Sequence, residues 1–245
     1  MQQNKNIYCA ILAGGSGTRM NSPVPKQFHM LGEKPIFIYG VETLLRDTRI
    51  KELWIGANGD WLTLAEEQLE KYCPDRSRIR LCEGGADREG TLLNILNGIR
   101  DSNELGDSDI VLIHDAVRPF VTPRIIDDVI NEMDCCDACN TVIPLNDTIV
   151  RSADGNVVSD MPARNELFAG QSPQGFKLKK LFEAFESLDE NTRKLMTETT
   201  KACFACGIPI HLVKGEYFNF KITTPYDMQV ANTVLETIYK DIICP

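Results

Sequence analysis

The feature that most constrains this chain is the alternation of two kinds of segment over its first 145 residues. Short apolar runs recur at 7–13 (IYCAILA), 52–57 (ELWIGA), 78–83 and 109–114 (DIVLIH), and amphipathic stretches follow at 35–46, 61–71, 91–100 and 123–133. Runs that are apolar on both faces suit strands covered by helices on each side. Strand and helix joined by short connections predict an α/β fold, a doubly wound, mainly parallel sheet with right-handed crossovers. In such a sheet ligands sit at the carboxyl ends of the strands. A further strand is expected at 138–145, where Pro144 marks an edge or an exit. Helices are expected at 178–187, 191–206 and 224–240, with a strand at 210–213.

Residues 147–160 (DTIVRSADGNVVSD) break the alternation and read as a β-hairpin around Ala153, Asp154 and Gly155. The hairpin is too small to hold its own core, which suits an arm, 147–165, that packs on a neighbouring subunit. With no internal repeat and no low-complexity linker, residues 1–245 are expected to form one domain.

Composition narrows the function classes. The chain carries 35 acidic residues against 26 Lys and Arg, a formal net charge of −9, which argues against broad nucleic-acid binding. No run nears the roughly 20 apolar residues of a membrane span, and the N-terminus shows no signal-peptide pattern. Nine cysteines, an odd count that includes the adjacent pair Cys135 and Cys136, suit reduced thiols in the cytoplasm. Cys135, Cys136 and Cys139, and the Cys203-x-x-Cys206 pair, are open to two readings: a zinc site, or small buried apolar side chains.

The first apolar run ends in LAGGSGTRM, residues 12–20. Gly14, Gly15 and Gly17 let successive backbone N–H groups line a concavity suited to phosphate, though a glycine-rich turn can also be purely structural. The segment matches neither a P-loop, which needs a Lys-Ser or Lys-Thr at fixed spacing, nor G-x-G-x-x-G. Arg19 and Lys26, the latter in PKQF, add two cations stiffened by Pro23 and Pro25.

L-x-A-G-G-x-G-x-R-M followed by P-K-Q-F resembles the opening of nucleotidyltransferases that act on sugar and polyol phosphates. GGADR (84–88), HDAVRPF (114–120), QSPQGF (171–176) and NFKITTPYDM (219–228) narrow the resemblance to the cytidylyltransferases of ribitol 5-phosphate and 2-C-methyl-D-erythritol 4-phosphate. The segments occur in the family's order and span nearly the whole chain. The resemblance implies a Rossmann-like nucleotidyltransferase fold, a homodimer, and a reaction of CTP with a polyol phosphate that releases pyrophosphate.

By the same resemblance, Arg19, Lys26 and Lys221 are the catalytic cations. Leu12, Ala13, Gly14, Gly15, Gly17, Gly85, Ala86, Arg88 and Thr91 would hold CTP. Asp115 would lie between nucleotide and polyol and near Mg²⁺. Thr148, Arg164, Ser172 and Thr197 would hold the polyol phosphate, some of them from the partner subunit. His114 and Arg118 read as structural supports. Gly59-Asp60-Trp61, Gly170-Gln171 and Lys214-Gly215-Glu216-Tyr217 resemble the ribitol branch, and the methylerythritol branch usually has a smaller residue where this chain has Val117. D-Ribitol 5-phosphate is therefore the favoured substrate. The alternatives are methylerythritol phosphate and a homologue that binds nucleotide without turning it over.

Overall fold

The computed structural model describes residues 5–15, 20, 22–189, 192–193 and 198–239. The strands are β1 (Ile7–Ala13), β2 (Met30–Leu31), β3 (Lys34–Pro35), β4 (Ile50–Ala57), β5 (Ile79–Glu83), β6 (Ile110–Asp115), β7 (Ala138–Pro144), β8 (Phe168–Lys177) and β9 (Ile210–Lys214). The helices are α1 (Ile36–Arg46), α2 (Leu62–Tyr72), α3 (Arg88–Ser102), α4 (Pro123–Glu132), α5 (Leu178–Ser187), α6 (Thr200–Ala205) and α7 (Pro225–Val234).

Among the described residues, seven strands form one sheet in the order β5-β4-β1-β6-β8-β7-β9, and β2 pairs with β3 in a small separate ribbon. Every neighbouring pair in the large sheet is parallel except the two that involve β8. The expected mainly parallel, doubly wound architecture is therefore present. Strand β1 shows how the sequence builds it. Ile7, Cys9, Ile11 and Ala13 pack into a core with α1, α2 and α4, while Tyr8 and Ala10 face a second core with α3, α5 and α6. A period of two on an all-apolar strand thus feeds both faces. A third cluster packs α7 against Leu31, Ile36, Phe120 and Ile222.

The structure refines several of these expectations. Strand β7 lies between β8 and β9, so Pro144 marks an exit and not an edge. Strand β8 is absent from the sequence reading because Gly170, Pro173 and Gly175 look like loop residues. A register shift in the β7–β8 pairing, between Asn140 and Val142, accommodates Pro173, which has no ladder N–H to offer. The Pro173 carbonyl is still used: it accepts the Thr141 hydroxyl at 2.6 Å. The helix expected at 191–206 is seen as helical residues 192–193 and as α6, preceded by a non-helical bend at 198–199, with residues 191 and 194–197 outside the described residues. The final helix becomes a π turn at Leu235–Tyr239, and Lys240 lies outside the described residues.

Within 147–160 the structure holds a single antiparallel bridge, Arg151 to Asp160, in place of two strands. The turn is fixed by Asp154, which accepts from the N–H groups of Asn156 and Val157, and by Gly155 at φ +76°. Cys203 is buried in α6 and Cys206 follows it exposed, so that pair supplies one core side chain and one surface thiol.

Candidate active site

The carboxyl ends of β1, β4, β5 and β6 meet a cavity of about 400 Å³. Its wall includes Leu12, Gly14, Gly15, Lys26, Ala86, Arg88, Thr91, Asp115 and Lys221, nine of the residues expected from the sequence. Gln27, Asn58, Asp87 and Val117 complete it. Arg19 and Gly17, also expected there, lie outside the described residues, as does Thr197.

The glycine-rich loop is held by a residue the sequence reading gave no role. Gln27 is buried, and its side-chain amide donates to the carbonyls of Ala13 at 2.6 Å and Gly15 at 2.9 Å. Ala13 itself is buried behind the wall. Lys26 precedes Gln27 in the same short 3-10 turn, Lys26–Phe28, so the fold that anchors the loop also aims this lysine at the cavity. The signal was available in P-K-Q-F, where a polar Gln sits beside the buried Phe28.

Helix α3 begins at Arg88, three residues before the expected start at Thr91. Asp87 supplies the N-cap by accepting the Gly90 N–H at 2.7 Å. The helix N-terminus therefore opens toward the cavity, where its free N–H groups and dipole favour an anion. Gly85 is required sterically: a Cβ there would lie 2.4 Å from the Gly90 carbonyl carbon. Thr91 is buried and spends its hydroxyl inside the turn, donating to the Asp87 carbonyl and accepting from the Gly85 N–H. Its part in the site is to shape this loop.

Asp115, the last residue of β6, is ringed by cations. Lys221 Nζ is 3.0 Å from Oδ2, Arg118 Nε is 3.4 Å from Oδ2, and Arg88 Nε is 3.7 Å from Oδ1. Burial alone would raise this carboxyl, but Lys221, Arg88 and Arg118 more than reverse it and hold it well below the usual carboxylate range. Arg88 also donates to the Thr199 hydroxyl at 2.9 Å, and Arg118 is tied to the carbonyls of Asn219 and Gly170.

His114 lies beneath this cluster with no exposed surface. Nε2 is 3.0 Å from the Arg118 carbonyl, which can only accept, so Nε2 carries the proton. Nδ1 then accepts from the Ser172 hydroxyl at 3.0 Å, and Ser172 Oγ accepts the Asp115 N–H at 3.1 Å. Burial lowers the imidazole to about 4, so His114 is neutral near pH 7. Both of its nitrogens are occupied, which leaves it a positioning role. Ser172 is buried and absent from the cavity wall, placed to set the end of β6.

Thr148 and Arg164 are exposed on the 147–165 segment and do not line the cavity of their own chain. Arg164 donates to the Asn146 carbonyl at 2.9 Å.

Residues 7–237 match the family model of 2-C-methyl-D-erythritol 4-phosphate cytidylyltransferase. The chain belongs to this family. Among curated relatives, ribitol-5-phosphate cytidylyltransferase of Lactiplantibacillus plantarum is 42% identical over 231 residues, which cover 94% of this chain and 98% of that protein. Among solved structures, 4-diphosphocytidyl-2C-methyl-D-erythritol synthase of Anaerococcus prevotii superposes with TM-score 0.79 at 26% identity, covering 96% of this chain and all of that one. The Francisella tularensis 2-C-methyl-D-erythritol 4-phosphate cytidylyltransferase gives 0.78 at 26% identity over 94% of this chain and 99% of that one. This cytidylyltransferase-family chain thus carries its cation-ringed aspartate and glycine-rich loop on a shared fold.

Proposed function

We propose that this chain transfers the cytidylyl group of CTP to D-ribitol 5-phosphate, giving CDP-ribitol and pyrophosphate. The observation that carries the substrate choice is 42% identity across almost the whole length to a ribitol-5-phosphate cytidylyltransferase, against 26% to the methylerythritol-phosphate structures. Val117, which distinguishes the ribitol branch in the sequence reading, stands in the cavity wall.

The substrate phosphate attacks the α-phosphorus of CTP, a new P–O bond forms, and the bond to the β-phosphate oxygen breaks to release pyrophosphate. A phosphate is already an anionic nucleophile, so no protein base is needed and catalysis rests on alignment and charge. Lys26, Arg88 and Lys221 line the cavity and would meet the charge that develops on the α-phosphoryl group. Arg19, in the LAGGSGTRM segment, is assigned the same task. Backbone N–H groups of the glycine-rich segment and of the first turn of α3 would hold the remaining phosphates and ribose.

The site suits Mg²⁺. Asp115 is ionised and oxygen-bearing, and Mg²⁺ needs only one or two carboxylates when phosphates and water supply the rest. Asp115 would hold the ion, whose contribution when bound is to neutralise charge on the triphosphate.

The chain is assigned to the cytoplasm, where the free thiols of every described cysteine remain reduced. It is assigned as a homodimer through the arm, on which Val150, Val157, Val158 and Met161 are each more than half exposed. Such an arm would bring Thr148 and Arg164 to the partner's cavity.

Pyrophosphate release with CTP and Mg²⁺ should be measured against both polyol phosphates. Turnover with ribitol 5-phosphate is expected. Turnover with methylerythritol phosphate alone would reverse the substrate choice, and none with either would leave a nucleotide-binding homologue.

A further inference from the structure

At the opposite end of the sheet from the cavity, three metal-binding side chains converge. Glu132 ends α4, Cys136 follows it by four residues, and His211 is the second residue of β9. Their ligand atoms all lie within 4.8 Å of one another. His211 Nδ1 is already 2.6 Å from Glu132 Oε1, and the Cys136 thiol donates to the Glu132 carbonyl at 3.3 Å. The His211 and Glu132 side chains are 44% and 36% exposed, so an ion can reach them from solvent.

We propose that Glu132, Cys136 and His211 form a Zn²⁺ site that clasps the end of α4 to the start of β9. A thiolate, an imidazole and a carboxylate are the ligand set for Zn²⁺, whereas Mg²⁺ demands oxygen. Zinc bonds of about 2.0–2.3 Å place tetrahedral ligands roughly 3.3–3.8 Å apart, so closure from the present separations needs about an ångström of side-chain movement. Water takes the fourth position. Binding displaces the thiol proton, and any proton on the imidazole, to solvent.

The backbone supports the placement. His211 pairs in register with Cys139 of the parallel strand β7, which fixes it beside the 132–139 turn. Cys139 is buried, with its thiol 3.6 Å from the Met133 sulfur. The site is distinct from the CTP cavity, because it lies at the starts of β7 and β9 while the cavity sits at the ends of strands parallel to them.

The test is zinc titration of the full chain, free of any polyhistidine tag, in competition with a chromophoric chelator. Cobalt(II) is added in parallel to report thiolate coordination by its near-ultraviolet charge-transfer band. One Zn²⁺ per chain and a cobalt–thiolate band are expected. His211→Ala, an exposed change with little risk to folding, should weaken binding by at least the roughly 10–100-fold that losing an outer-shell partner costs. Cys136→Ser should abolish the cobalt–thiolate band, while Cys135→Ser and Cys206→Ser should bind as the parent does. No stoichiometric binding, full affinity in His211→Ala, or loss in Cys206→Ser in place of Cys136→Ser would each overturn the proposal.

Discussion

Replacing Lys221 by alanine separates what this lysine does for the fold from what it does for the reaction. Its ammonium lies 3.0 Å from Asp115 Oδ2, and its side chain is 37% exposed. A pair that open to water contributes about 0–1 kcal/mol. Asp115 keeps Arg118 at 3.4 Å and Arg88 at 3.7 Å after the change, so no buried carboxylate is left without a cation. Stability should therefore fall by about 1 kcal/mol or less. The catalytic loss is much larger. Removing one preplaced donor from a developing oxyanion costs about 10²–10³ in kcat, roughly 2.7–4 kcal/mol of barrier. The loss should appear mainly in kcat, with the KM for CTP little changed, because the interaction strengthens in the transition state. Steady-state pyrophosphate release and urea unfolding of the same preparations give both numbers. Lys221→Arg, which keeps a charge at a different reach, should recover part of the rate. A kcat/KM within about threefold of the parent would remove Lys221 from the mechanism. A stability loss that matched the rate loss would make it a structural residue.

Three further outcomes follow from particular contacts. His114 titrates near 4 when folded and 6.5 when unfolded, so below pH 6.5 the unfolded chain takes a proton that the folded chain refuses. Its contribution is present above pH 6.5 and lost as pH falls through 4, about 3 kcal/mol in all; the difference in urea stability between parent and His114→Gln should follow that slope, and a pH-independent difference would refute it. Gly85→Ala should cost about 1–3 kcal/mol and raise the KM for CTP, because its Cβ meets the backbone of Gly90 at 2.4 Å, whereas Gly15→Ala, with nothing within 4 Å, should leave unfolding nearly unchanged. On the proposed homodimer, the parent should sediment as a dimer and Val157→Asp with Val158→Asp as a monomer; a monomeric parent would refute the dimer, and a dimer unaltered by the two changes would rule out the arm as its interface.

The parallel strands were legible because apolar runs with no polar face have few other ways to be buried. The cavity followed from the rule that ligands sit where such strands end, and that rule brought Asp115, Arg88 and the glycine loop together. Strand β8 was illegible for a physical reason. Its pairing tolerates Pro173 only because the register slips opposite Thr141, and a slip has no local sequence signature. The start of α3 was missed by three residues because the apolar periodicity starts only at Leu92, while the helix begins at Arg88, just after its cap Asp87. Gln27 leaves one trace in the sequence, a polar side chain beside the apolar Phe28, but which two backbone carbonyls it holds depends on the folded loop. Ser172 was matched to ligand binding by its motif, yet its hydroxyl is committed to His114 and the Asp115 N–H.

At long range the net charge of −9 opposes binding of two polyanions. The geometry resolves this through Asp115. Arg88, Arg118 and Lys221 could not share so small a region unaided, because like charges a few ångströms apart repel strongly where water is scarce. One carboxylate among them lowers that repulsion and leaves the cluster with a net positive charge of two. The cations are therefore positioned before any phosphate arrives, so little reorganisation is left for the reaction step. Arg118 is fixed by the backbone carbonyls of Asn219 and Gly170, while Lys221 is the more exposed of the two cations on Oδ2. An incoming triphosphate would thus draw Lys221 toward itself and leave Arg118 as the permanent partner of Asp115. Local placement of a few bases decides the ligand, and the acidic remainder of the surface repels longer polyanions.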